Sequence, residues 1–147
     1  MHPDLRPLVG SWRLLSLGWT FADTGERSEP FGPNPHGRMV LEPGGRIMFL
    51  FATPNRHPVL DFSDDVGLAA LLKQMMAYTG LVRWSGPGQF TTTVDLAHNP
   101  ALGGEQVRFF TIEGDRLIIR TPEHAPPRYS GRLVVGDVTF VREHGEP

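Results

Sequence analysis

The chain has 147 residues, a net charge of −2 and no cysteine. Its length fits one domain, residues 1–147, that buries a full core without covalent staples. The missing cysteines exclude a disulfide framework, thiolate metal sites and a cysteine nucleophile, and the charge balance lacks the basic excess of a nucleic-acid binder.

The opening residues MHPDLRPLVGSW have no basic stretch followed by an apolar one, and no apolar run approaches the roughly 18 residues of a membrane span. A soluble cytoplasmic protein without a membrane or nucleic-acid partner is the expectation. Lys73 is the single lysine, a bias of composition rather than a phosphate-binding design.

With 17 glycines and 14 prolines, the chain suits many short strands and tight turns. Residues 11–21 form a first strand rich in Leu, Trp and Phe. The turn-rich FGPNPHG, residues 31–37, follows. Residues 38–41 and 46–52 are apolar runs split by Glu-Pro-Gly-Gly, a hairpin signal. Residues 79–85, 89–98, 106–113, 116–121 and 132–142 complete a set of eight, and Gly114-Asp115 reads as a tight hairpin. The polar tail from Glu143 to Pro147 is expected to fray.

One segment departs from this rhythm. Within residues 63–78, Leu68, Leu71, Leu72, Met75 and Met76 recur at helical spacing. Ser63 is placed to cap the helix, Asp64 and Asp65 suit its positive end, and Gly80 lies just beyond it. The helix is inserted between the third and fourth strands and should cover a barrel mouth or flank.

Eight consecutive strands with short turns fit a sandwich or an up-and-down barrel, and closure removes the exposed edges. The expected fold is all-β: an eight-stranded antiparallel up-and-down barrel whose first and last strands pair. That pairing brings Trp12 beside Arg142 at the closed end, where a guanidinium can stack on an indole. Ile47, Phe49 and Phe51 alternate with Met48 and Leu50, so one strand is apolar on both faces. A subunit interface could cover the outer one.

Leu8-Val9-Gly10-Ser11-Trp12-Arg13-Leu14 resembles the Gly-x-Trp opening of calycin barrels. More specifically, the chain resembles a bacterial and fungal family of lipocalin-like domains. The stretches that carry this are Pro30-Phe31-Gly32, Asn34-Pro35-His36-Gly37, Gly45-Arg46-Ile47, Ala77-Tyr78-Thr79-Gly80, Gly104 to Phe110 and Glu113 to Leu117. The resemblance implies the barrel fold and binding of a small apolar molecule, and some related barrels act as cofactor-free cyclases or isomerases. Many members carry histidines in the fifth strand before a Val-acidic pair. Here Thr92-Thr93 stand before Val94-Asp95, which puts any such acid-base role in doubt.

Strand parity sorts the remaining candidates. On the fifth strand Phe90, Val94 and Leu96 share a face with Thr92 and His98, so this apolar set is expected inward. His98 then sits at an inner rim or simply begins the next loop. Parity leaves Arg108 open, and the resemblance around Gln106-Val107-Arg108 tips it inward. Tyr78 is either core packing or a donor at the mouth. The expected pocket is lined by Met39, Phe49, Phe51, Val94, Leu96 and Phe110, with Tyr78, His98 and Arg108 as polar contacts. An inward guanidinium needs an anion, and a ligand carboxylate, phenolate or enolate would serve.

No phosphate loop, nucleophile elbow or His-Glu-x-x-His motif occurs, and no second histidine has ligand spacing, so no metal site, cofactor or catalytic residue is assigned. The primary expectation is a barrel that binds an apolar, acidic or enolic small molecule. The alternatives are a cofactor-free cyclase or isomerase and a homodimeric module with a filled barrel. A haem-binding barrel would need an inward histidine.

Overall fold

The structure, a computed structural model, describes residues 1–145. Its strands are β1 (Gly10–Phe21), β2 (Arg27–Ser28), β3 (His36–Leu41), β4 (Arg46–Ala52), β5 (Met75–Gly86), β6 (Gln89–Ala97), β7 (Gly104–Glu113), β8 (Arg116–Arg120) and β9 (Val134–Arg142). All pairings are antiparallel. β1 meets β3 on one side and β9 on the other, so eight strands close into a barrel and β2 extends one end of β1. Closure leaves few unpaired backbone groups to attract another chain. The two-residue β2 lies outside the eight expected strands. Gly114 turns the β7–β8 hairpin at φ 62°, a conformation glycine adopts without steric cost.

One end of the barrel is plugged. A short 3₁₀ helix, Pro3–Leu8, buries Leu5 and Leu8 beneath it. Trp12 is fully buried there and donates its indole N–H to the Leu8 carbonyl at 2.9 Å. Arg142 stacks over the Trp12 ring at 4.1 Å and donates to the carbonyls of Val9 and Pro7. This is the expected end-to-end contact of the first and last strands.

The helix is shorter than its sequence pattern. α1 spans Asp65–Lys73, and Asp64 rather than Ser63 caps it, accepting from the Gly67 amide at 2.9 Å. Met75, Met76, Ala77 and Tyr78 instead open β5 and pair with Ala52, Phe51, Leu50 and Phe49. That ladder satisfies their backbone groups while Tyr78 goes into the core, a gain one more helical turn in solvent cannot match. The expected cover is correspondingly thin. No residue of α1 is fully buried, and Leu72 is half-exposed.

The tail is tied down as far as it is described. Glu143 hydrogen-bonds Ser11 and pairs with Arg38 at 2.8 Å, and His144 lies 2.9 Å from Asp115. This corrects the expectation of fraying for those residues; 146 and 147 lie outside the described ones.

Three register shifts interrupt the ladders, one of them at the β5–β6 turn between Trp84 and Gly86, and the other two change parity within the barrel wall. Between Leu14 and Ser16 the β1–β9 register shifts, so Leu14 and Leu17 both enter the core. Between β5 and β6, Thr79 faces Leu96 while Gly80 faces Val94. Asp95 is the extra residue, and a bulge of this kind swaps the faces beyond it.

Candidate functional site

The end opposite the plug is where β1 finishes, β5 begins and β8 finishes. A cavity of about 30 Å³ lies inside the barrel toward this end. Its walls include Leu17 and Trp19 from β1, Phe49 and Phe51 from β4, Met76 and Tyr78 from β5, and Arg108 from β7. Ile119, Thr121, Val138 and Phe140 close the other side. This is far below the roughly 300 Å³ or more of an ordinary ligand pocket, so an organic guest must part the walls. Met76, only partly buried and unbranched, is the adaptable member of that wall.

Arg108 is the charged group among these walls. It faces the fully buried Phe90 across the β6–β7 ladder, so its side chain belongs to the inner surface. One guanidinium nitrogen donates to the Val107 carbonyl at 2.7 Å and another to Gln106 Oε1 at 3.3 Å. Gln106 is oriented by longer contacts to the carbonyls of Leu102 and Gly103. Among the described residues no carboxylate pairs with Arg108, although Arg27, Arg46, Arg83 and Arg132 each have one. Arg6, Arg13, Arg56, Arg116, Arg120, Arg128 and Arg142 likewise have no carboxylate partner among the described residues, and of these eight guanidinium groups Arg108 is the one that lines the cavity. Placing a cation there costs free energy that an incoming anion would offset.

Of the residues expected to line a pocket, Phe49, Phe51, Tyr78 and Arg108 surround this cavity. Met39 is buried in the surrounding core, Val94 packs against it, and Phe110 sits 5.9 Å from Phe90. Two others lie elsewhere. Leu96 is 69% exposed on the outer face, because the Asp95 bulge reverses the parity that places it inward. His98 brackets the end of the β5–β6 ladder, its Nδ1 at 3.1 Å from the Ala77 amide and carbonyl. Leu96 and His98 instead border an outer groove of about 560 Å³ with Arg38, Val40, Met48, Leu50, Ala77 and Thr79.

Trp19, Thr121 and His124 at the mouth escaped the sequence reading. The segment Pro-Glu-His-Ala-Pro-Pro reads as a break between strands, yet it folds back so that His124 forms a β-bridge to Val134. Its ring meets Trp19 edge-on at 5.3 Å, and Nδ1 lies 2.9 Å from the Pro122 carbonyl. Burial holds the His124 pKa below that of a free histidine against the opposing Pro122 hydrogen bond, and the positive charge of Arg108 adds to the burial. The length of the β8–β9 connection, far beyond a hairpin turn, is the signal that points to it.

The profile of the lipocalin-like domain matches residues 9–141, which is nearly the whole described barrel. The chain belongs to the lipocalin-like domain family. The family match and the closed barrel agree on a small-molecule-binding fold. No curated protein matches this lipocalin-like chain. Among its described residues no cluster of three or more His, Asp or Glu could hold a metal ion, and no helix is long and apolar enough to cross a membrane.

Proposed function

We propose that this lipocalin-like barrel binds a small, largely apolar molecule carrying an acidic or enolic oxygen, with Arg108 holding that oxygen. The observation that carries this reading is the Arg108 guanidinium on the inner wall without a carboxylate partner among the described residues. Around it the walls are aromatic and aliphatic, the usual surroundings of a ligand's apolar body. Tyr78, Thr121 and Trp19 are the other side chains with polar atoms at the cavity, and a planar guanidinium fork suits a carboxylate or enolate better than an ammonium does. Native mass spectrometry of the purified protein tests for a retained ligand. Arg108→Ala should then weaken binding of an acidic ligand about tenfold or more, the cost of a charged hydrogen bond. Arg108→Lys should recover only part of it. Unchanged affinity in Arg108→Ala would overturn the reading.

A second observation favours self-association alongside ligand binding. Met48, Leu50 and Leu96 are 55%, 53% and 69% exposed along the outer groove. Apolar surface gathered in this way commonly marks an interface, and a second copy of the chain would cover it.

A further inference from the structure

We propose that His124 and Arg108 form a two-point subsite for a planar ionisable acid, in which His124 Nε2 accepts the O–H proton and Arg108 holds the oxyanion. This rests on the proposed binding role of Arg108 and extends it to a residue nothing else assigns.

The tautomer follows from the contacts. A proline carbonyl can only accept, so the 2.9 Å contact to Pro122 requires the proton on His124 Nδ1. Nδ1 also lies 3.5 Å from Thr121 Oγ1, which already accepts from the Gly136 amide at 2.7 Å. The lone pair of a neutral ring therefore sits on Nε2, which has no hydrogen-bond partner among the described residues. Backbone hydrogen bonds to Val134 in both directions fix the residue in place. Its neighbours Trp19 and Thr121 are walls of the cavity that Arg108 lines. Trp19 in turn lies over Gly136, where a Cβ would come within 2.8 Å of the indole. The imidazole thus packs against two walls of the cavity, and a guest that parts those walls would reach it.

The chemistry is balanced and needs no co-reactant. The ligand O–H bond breaks, an N–H bond forms on Nε2, and the electron pair stays on oxygen, where Arg108 donates to it. Burial is the main cause that disfavours the His124 imidazolium, the Pro122 hydrogen bond works against it, and Arg108 is the charged group that adds to it. Tyr129, which also packs on Trp19, shares its hydroxyl with Ser28 at 2.8 Å. On β9, Asp137 is engaged by Arg27. An anion on Arg108 would offset the repulsion that disfavours the imidazolium, so acid binding and His124 protonation support each other.

The test is an NMR titration of the His124 ring in the full chain, with benzoate as the acid and benzamide as its neutral isostere. Arg108→Gln should raise the His124 midpoint without any ligand, and benzoate, unlike benzamide, should raise it in the unmodified protein. His124→Phe, which keeps an aromatic ring against Trp19, should weaken benzoate about tenfold. An equal His124 midpoint in the protein and in Arg108→Gln would overturn the pair. So would undiminished benzoate binding in His124→Phe or the absence of benzoate binding at millimolar concentration. If Arg108→Ala still abolishes benzoate binding while His124 proves irrelevant, the pair falls and the Arg108 anchor stands.

Discussion

His124 is held neutral by burial and by the charge of Arg108, and this links its protonation to folding. A histidine whose folded pKa lies below its unfolded value binds fewer protons in the native state. Its contribution is complete above the unfolded pKa of about 6.5 and is lost as pH falls through that value toward the folded one. Urea unfolding should therefore show stability falling as pH drops below about 6.5, and His124→Asn should flatten that slope. An identical slope in the variant would contradict the assignment. The Trp12–Arg142 contact was legible at this scale, because strand pairing alone sets the two ends side by side. His124 was not, because a proline-rich loop gives no periodicity from which to place a side chain.

Strand β5 shows where local pattern and tertiary pairing part company. The leucines and methionines keep a helical spacing through Met76, yet the chain leaves the helix at Lys73 because β4 offers Met75 to Tyr78 a ladder. Boundaries of the other strands fall within a few residues of the sequence pattern, since alternation and turn residues mark them. The Asp95 bulge is invisible to alternation and moves Leu96 to the outer face. Beside that bulge Gly80 meets β6 closely: a Cβ there would lie 2.3 Å from the Thr93 carbonyl and 2.7 Å from Thr92 Cγ2. Backbone cannot swing aside as a side chain can. Gly80→Ala should therefore open the β5–β6 ladder and cost at least about 2 kcal/mol, read from chemical denaturation. A loss below about 0.5 kcal/mol would show that the ladder accommodates a methyl group.

The whole molecule carries two surfaces of different character: a charged, nearly filled mouth inside the barrel and a broad apolar groove outside it. The closed barrel was legible from eight strands in chain order. The contrast between its faces was not, because filling depends on how bulges turn each side chain. Light scattering should find a dimer, and Leu50→Asp with Leu96→Asp should return it to monomer without unfolding. A monomeric unmodified protein would remove that role from the groove. The central claim is that a ligand acid binds at the barrel mouth through Arg108. Amide chemical-shift mapping with benzoate tests it most directly, since it locates binding residue by residue. Perturbations are expected at Trp19, Met76, Arg108 and Thr121, and their loss in Arg108→Ala. Shifts confined to Val40, Met48, Leu50 and Leu96, or persisting at the mouth in Arg108→Ala, would contradict it.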